Sequence, residues 1–400
     1  MLLFYATPNQ RQELMLQSLL GRGWQITVIA WLRNRSENKK TASSFDEKIN
    51  WRHVDLPAPL GKIALLRRLP SFYRRAAKIL RSFATLPDLS ILTHILLLPF
   101  AAILQGRKIY DASEIYFMDA TGYFGRLQRL GQRVVIAFET VFVRMTDGVS
   151  TVDSNGGWVK RYYVTKVKKE TPVEVIWNLP SRQVSFDEKT ARALKDVYAE
   201  KRIVAFVGGL RNDKGLHVAL EAAALTRKKI DSLLFLFIGH LKEPPAVVQR
   251  LIQKYRLDRH VQILSALPYK EMLSHLAYAD IGLALHQKKR TYPFLAAGNG
   301  RKFFTYMQAG VAIVAPEFGK VGEAVRLADC GVCVNTESAG DVANAILRLF
   351  ANPIELMRLK SNGQKAFEDR FCWEEKQSKY LSFLNTVIAK GGYGKRCKSS

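Results

Sequence analysis

Two doubly wound α/β domains in tandem are the fold class that the sequence predicts. Short runs rich in β-branched and aromatic residues alternate with helical stretches along the whole chain, the pattern of parallel sheets covered by helices. The rhythm breaks at a Pro-containing connector over residues 178–189, NLPSRQVSFDEK, and then restarts. A length of 400 residues is also too great for one ordinary domain. Hydrophobic residues make up 48% and charged residues 24%, so the chain buries substantial cores, which excludes disordered, collagenous and low-complexity classes.

In the first domain, residues 1–178, strands are expected over 2–5, 25–31, 89–93, 108–111, 148–152 and 173–177. The opening MLLFYATPNQRQEL has no basic residue before its apolar run and no small-residue cleavage site, so it reads as a buried strand and not a signal peptide. The apolar run 89–104 is shorter than the roughly 20 residues a bilayer requires and is interrupted by His94 and Pro99. It reads as a strand, a turn at a structural His94, and a buried helix ending at Gly106. Upstream, residues 60–84 carry Lys62, Arg67, Arg68, Arg74, Arg75, Lys78 and Arg81 with no acid, interleaved with large apolar side chains. That run fits either a basic amphipathic helix on an anionic bilayer or a solvated helix face of the domain.

The second domain, residues 179–372, repeats the pattern with IVAFVGG, LLFLFIG, VQILSAL, IGLALH, AIVAP and GVCV as strands. A helix near 373–388 is expected to pack back on the first domain, and 389–400 reads as a disordered polar tail with Cys397 a candidate acylation site. Ligands of open α/β sheets bind beyond the carboxyl ends of the strands, so a cleft between the domains is the expected site.

Lys and Arg number 61 against 35 Asp and Glu, a net charge of +26, which favours polyanionic partners: nucleic acid, an anionic membrane face or phosphorylated substrates. Nucleic-acid binding is set aside because both halves carry the excess and no zinc finger, recognition helix or aromatic-rich sheet motif is present. The 4 cysteines all fall in the last fifth of the chain and make no disulfide framework, which points to a reducing compartment. Cys330 and Cys333 share a C-x-x-C spacing without a second pair or a His cluster, so no metal is expected.

Two turns carry the chemistry. In FVGGLRNDKG a buried strand runs into Gly208 and Gly209, then a loop with Arg211 and Lys214, then a helix. Glycines admit a phosphate to the backbone, the helix start offers N–H donors, and the cations neutralise a diphosphate. In AAGNGRKFFTYMQAGVAIVAP, Asn299 and Gly300 precede a helix whose first turn holds Arg301 and Lys302. Cations there oppose the helix macrodipole, a placement that an anion between them and the N–H groups would explain.

These segments, with LFLFIGH, VQILSALPYKEMLSHLAYADIGLALH and the ending FEDRFCWEE, resemble the donor-binding half of glycosyltransferase family 4, the retaining GT-B glycosyltransferases. KIYDASEIYFMDATG and VEVIWNLP are similar to segments of that family's N-terminal half, so the resemblance covers nearly the whole chain. It implies two Rossmann-like domains: an acceptor domain over 1–178 and a nucleotide-sugar donor domain over 179–372. Lys214 matches the Lys of the family's Lys-Gly pair, which contacts the donor diphosphate. The family's Gly-Arg is Gly208-Gly209 here, with Arg211 the candidate substitute. Two family glutamates fall on Ala297 and Thr305, while Lys302 and Tyr306 match a variant branch; Ser113 stands at a family histidine. Thr305 retains one hydrogen-bonding hydroxyl for a ribose.

Among the remaining polar residues, Asp111 and Glu114 follow a strand end, where they orient acceptor or sugar, or else act as an N-cap and a surface acid. His240 ends a strand facing the expected cleft, and Glu317 and Glu323 flank a glycine loop from which a ribose contact is within reach. Arg11 is a candidate for an anionic acceptor. The resemblance implies transfer from a nucleotide sugar to a lipid-linked or polysaccharide acceptor, without metal or other cofactor, by a cytoplasmic protein peripheral to the inner membrane face. The alternative is a GT-B binding protein that lost activity with the glutamates.

Overall fold

The computed structural model describes residues 1–4, 6, 8–33, 48–58, 62–114, 128–153, 157–288 and 301–390. Two units emerge: Met1–Asn178 together with the chain from Lys376 onward, and Leu179–Glu375.

The first unit holds strands β1 (Leu2–Phe4), β2 (Ile26–Leu32), β3 (Ile49–Asp55), β4 (Leu89–Leu92), β5 (Arg107–Ala112), β6 (Gly148–Thr151) and β7 (Val173–Val175). They pair in parallel in the order β3-β2-β1-β4-β5-β6-β7, so the winding reverses between β1 and β4. Helices α1 (Gln10–Leu20), α2 (Lys62–Arg81), α3 (Gln128–Val143) and α4 (Trp158–Lys166) accompany them. Alternate strand residues, among them Leu3, Trp31, Leu92, Tyr110 and Val149, form one core with Phe72 of α2, Val143 of α3 and Tyr163 of α4. Side chains alternate across a pleated sheet, so α2, α3 and α4 form one layer over a single face. Trp31 anchors it, stacked on Phe72 at 4.3 Å with its indole N–H donated to the Leu56 carbonyl at 2.8 Å. α1 begins at Asn9, which forms a capping box with Gln12.

Three expectations change. β3 was not anticipated: INWRHVD is an edge strand with Trp51, Arg52 and His53 not buried, so its alternation is weak. Residues 95–102 form a 3-10 helix instead of the expected helix running to Gly106, with Pro99 inside it. The Nδ1 of His94 caps it by accepting the Leu96 N–H at 3.1 Å. Burial, and secondarily Arg33, hold that imidazole down to about 3, neutral and structural. In α2, Leu69, Phe72 and Ala76 are buried while Arg67, Arg68, Arg74, Arg75, Lys78 and Arg81 are exposed. Among the side chains described in α2, Leu69, Phe72 and Ala76 thus join the core while the cations face outward.

The second unit holds β8 (Arg202–Val207), β9 (Leu233–Ile238), β10 (Val261–Leu264), β11 (Ile281–Leu283), β12 (Ala312–Pro316) and β13 (Gly331–Val334). Their parallel order is β10-β9-β8-β11-β12-β13, with the reversal between β8 and β11. Its helices are α5 (Glu188–Leu194), α6 (Leu216–Thr226), α7 (Pro245–Lys254), α8 (Tyr269–Leu276), α9 (Arg301–Gln308), α10 (Gly319–Leu327), α11 (Ala339–Ala351) and α12 (Pro353–Arg370). Apart from Arg202 at the start of β8 and the half-buried Leu234 of β9, the central strands are buried, which accounts for their long apolar runs. The last helix, α13 (Trp373–Ala389), runs into the first unit. There a Cβ on Gly148 would come 2.6 Å from Val387, so the glycine lets α13 settle on β6.

Candidate functional site

The reversal between β8 and β11 places the carboxyl ends of these two strands side by side, where an open α/β sheet binds its ligand. From β8 the chain enters Gly208 at φ +104°, and the neighbouring turn at Gly239 approaches so closely that a Cβ there would lie 1.8 Å from the Gly208 carbonyl oxygen. The Leu210 N–H donates to the His240 carbonyl at 2.9 Å, and the Asn212 N–H donates to Glu243 Oε1 at 2.8 Å. Gly215, at φ +87°, sits where a Cβ would lie 2.4 Å from the Leu285 carbonyl, and α6 starts immediately after it. Backbone contacts thus fix the loop 208–215 against the ends of β9 and β11.

Lys302, in the first turn of α9, reaches into this corner. Its Nζ stands 3.9 Å from the centroid of the Phe206 ring, and a Cβ on Gly208 would touch its stem at 3.8 Å. The residue as a whole is half-buried, yet the ammonium itself is enclosed and has no hydrogen-bond partner among the described residues. Burial, reinforced by the Lys214 cation, pushes its pKa well below the usual lysine range, with Asp213 opposing. His286, just past β11, is held far below the ordinary imidazole value by burial and then by Lys214 and Lys302. Positive potential therefore concentrates beside the glycine turn. The cation–π contact with Phe206 contributes on the order of 1–2 kcal/mol, less than desolvating an ammonium costs, so an anion would stabilise this arrangement.

The structure brings Gly208, Gly209, Arg211, Lys214 and Lys302 to one place. The Gly208 N–H is already donated to the Ile238 carbonyl at 2.9 Å. Arg211 pairs with Asp213, which tempers its charge. The exposed His240 contributes its carbonyl to the loop, and Arg301 lies over the Tyr269 ring at 5.7 Å. Thr305 and Tyr306 point into the protein. The Thr305 hydroxyl meets the Arg301 carbonyl at 3.2 Å and the Tyr269 hydroxyl at 3.3 Å. The buried Tyr306 hydroxyl accepts the Val207 N–H at 3.0 Å and lies 3.2 Å from the carbonyls of Ala205 and Leu283, so it ties α9 to β8 and β11. Asn299 and Gly300 lie outside the described residues, as does Ala297. Glu317 is exposed, and Glu323 pairs with Lys320. Phe206, Asp213 and His286 were not singled out in the sequence; only their positions at strand ends and in the loop mark them.

In the first unit the structure corrects two assignments. Asp111 and Arg11 are both buried and bound to each other, with Arg11 Nη2 2.8 Å and Nε 3.1 Å from the carboxylate oxygens. Ser150 donates to the same carboxylate at 2.7 Å, and Arg11 also donates to the Ile176 and Trp177 carbonyls at 2.9 and 3.2 Å. With both groups so engaged, neither is presented to an acceptor. Glu114 is exposed, and the residues that follow it lie outside the described ones.

Among the described residues, no cluster of three or more His, Cys, Asp or Glu side chains is placed to hold a metal ion, and no helix is long and apolar enough to cross a membrane. Burial pushes the Cys330 thiol up to about 12, which suits a core residue better than a ligand.

Residues 187–366 match the family described as Glycosyl transferases group 1. The chain is 27% identical over 196 residues to a D-inositol 3-phosphate glycosyltransferase of Corynebacterium aurimucosum, covering 47% of this chain and 44% of the relative. It is 22% identical over 188 residues to the GDP-mannose-dependent alpha-(1-6)-phosphatidylinositol monomannoside mannosyltransferase of Mycobacterium tuberculosis, covering 46% and 48%. It thus spans about half the length of the curated relatives it matches. Among solved structures, sucrose-phosphate synthase of Thermosynechococcus elongatus superposes with a TM-score of 0.75 at 16% identity, over 98% of this chain and 99% of that one. HepE of Anabaena in complex with UDP-glucose gives 0.70 at 16% identity, over 96% and 99%. At these identities the likeness establishes the fold. Residues 187–366 thus resemble the group 1 glycosyl transferases, and the chain carries the GT-B fold.

Proposed function

We propose that this chain is a retaining glycosyltransferase that moves a sugar from a nucleoside-diphosphate sugar to a lipid-linked or polysaccharide acceptor at an anionic membrane face in the cytoplasm. The observation that carries this reading is the enclosed Lys302 ammonium, without a hydrogen-bond partner among the described residues and set beside Lys214 at the glycine turn. Such a pair suits a diphosphate. As the bond from the sugar's anomeric carbon to the diphosphate oxygen breaks, negative charge grows on the leaving group, and cations fixed in a water-poor corner stabilise that change without reorganising. Lys214 and Lys302 supply this charge, so the reading requires no metal. The donor domain is the second unit and the acceptor domain the first. HepE in complex with UDP-glucose and the GDP-mannose-dependent relative show what similar proteins use, and a phosphatidylinositol-linked acceptor of the latter supports a lipid-linked substrate.

In a retaining reaction of this kind the donor phosphate can take the acceptor's proton, which leaves little for a protein carboxylate to do. That suits a chain with Ala297 and Thr305 where the family carries glutamates. The same two residues favour the second reading, a binding protein without turnover. Thermal unfolding with UDP, GDP, ADP and their sugar conjugates tests the first step, since a ligand of the folded state raises its melting temperature. One nucleotide series should shift the transition, and Lys302→Ala or Lys214→Ala should abolish the shift. No shift with any of them would end the donor reading, whereas a shift without sugar transfer or donor hydrolysis would select the binding protein.

A further inference from the structure

The outer surface of the α2–α4 layer combines two properties that soluble surfaces seldom combine. Along α3, Leu130, Val134, Ala137 and Val141 are all exposed, Leu130 and Val134 at 56% and Val141 at 54%. At about 100° per residue, these four positions fall within about 60° of arc, so they form one apolar stripe turned away from the core. Met145 continues the line just beyond the helix, and the exposed large apolar side chains described in the first unit all lie between Leu86 and Val164. Arg129, Arg133 and Arg144 are exposed beside the stripe, while α2 in the same layer shows Arg67, Arg68, Arg74, Arg75, Lys78 and Arg81. No exposed acid occurs in the described part of α2, in α3 or in α4. The one carboxylate of α3, Glu139, is buried beneath Tyr110, Tyr162 and Tyr163.

We propose that the apolar stripe of α3 inserts into the surface of an anionic bilayer, with the arginines of α3 and α2 holding the lipid headgroups. The charge pattern selects this occupant. A second copy of the chain seated on the stripe would bring arginines against arginines, whereas an anionic lipid surface accepts both the apolar side chains and the cations. The inference deepens the membrane part of the proposed function and locates it on α3, since Leu69, Phe72 and Ala76 of α2 are in the core.

Flotation of the full chain with vesicles tests it without donor or acceptor, so failure of the transferase reading leaves the result interpretable. Vesicles of phosphatidylcholine with about one-third phosphatidylglycerol should bind the protein, and pure phosphatidylcholine should bind it far less. Leu130→Ser, Val134→Ser and Val141→Ser together keep every charge and should weaken binding by about ten-fold or more. Arg133→Gln with Arg144→Gln should weaken it and flatten its salt dependence. These positions are exposed, and an unchanged thermal transition confirms that the variants fold. Binding unaltered by the serine variant, or absent from the wild type, overturns the proposal. So does sedimentation of the wild type as a dimer that the serine variant converts to a monomer, which would assign the stripe to a second copy. A chain that transfers sugar yet ignores vesicles would overturn this inference alone.

Discussion

Arg11 and Asp111, 100 residues apart in sequence, meet in a buried two-point contact: Nε to Oδ2 at 3.1 Å and Nη2 to Oδ1 at 2.8 Å. Because Arg11 also binds the carbonyls of Ile176 and Trp177, the pair ties α1, β5 and the chain end beyond β7 together. Removing one member of such a pair strands the other charge. Asp111→Asn should therefore lower the unfolding free energy by about 3–5 kcal/mol in urea titrations, with activity falling only as the folded fraction falls. A variant of normal stability that has lost turnover would return Asp111 to the chemistry.

Lys302 makes the opposite prediction for stability. Its folded pKa lies below that of the unfolded chain, so between those two values the folded state binds fewer protons and stability rises with pH. Lys302→Met, which keeps the stem and removes the charge, should raise the melting temperature of the free protein near neutral pH and show no gain in strong alkali. The same variant should lose the shift produced by nucleoside diphosphate. A bound diphosphate favours the protonated lysine, so the rise in melting temperature it produces should shrink as the solution is made alkaline, measured by thermal unfolding across pH. A rise that ignores pH would argue against the assignment.

How much of this was legible in sequence depended on burial. The central strands, such as LLFLFI and RIVAFV, are enclosed on both faces and advertise themselves as continuous apolar runs. β3 does not, because an edge strand needs few apolar residues, and Trp51, Arg52 and His53 break the alternation. Motif reading found the glycine turn and both lysines, since cations at a helix start are locally unfavourable and so informative. It did not foresee the internal hydrogen bonds of Thr305 and Tyr306, whose polar atoms suit a ligand or the backbone equally well. Residue type cannot distinguish those roles, and only the hydrogen bonds to Val207 and Arg301 do. The Arg11–Asp111 pair failed for a related reason: nothing local in either segment announces a partner so far along the chain.

Tyr306 and Thr305 can be separated by their hydroxyls. Tyr306→Phe leaves the Val207 N–H without its acceptor inside the core, which should cost about 1–3 kcal/mol and loosen the glycine turn, weakening donor binding together with stability. Thr305→Val preserves shape, and its hydroxyl already faces Arg301 and Tyr269. Donor affinity should change by less than about two-fold, while stability falls by about 1 kcal/mol. A ten-fold loss of affinity in the valine variant would instead place Thr305 on the ribose.

Glu139 predicts how the first unit answers to pH. Its Oε1 accepts the Tyr163 hydroxyl at 2.9 Å and the Tyr110 hydroxyl at 3.3 Å, and its Oε2 accepts the Tyr162 hydroxyl at 2.8 Å. Burial raises its pKa more than these three donors and Lys166 lower it, so the folded protein holds this proton where the unfolded chain has released it. The group's contribution is fully present below the unfolded glutamate value and is lost as pH rises through the folded one. Glu139→Gln never ionises and keeps an acceptor for Tyr163 and Tyr110. Its unfolding free energy relative to wild type should therefore improve as pH rises above the unfolded glutamate value of about 4.3, even if it begins lower through loss of the Tyr162 contact. Urea titrations across that range measure the difference directly. A gap between the two proteins that stays constant with pH would mean that Glu139 is ionised at its ordinary value and that the three tyrosines fully offset its burial.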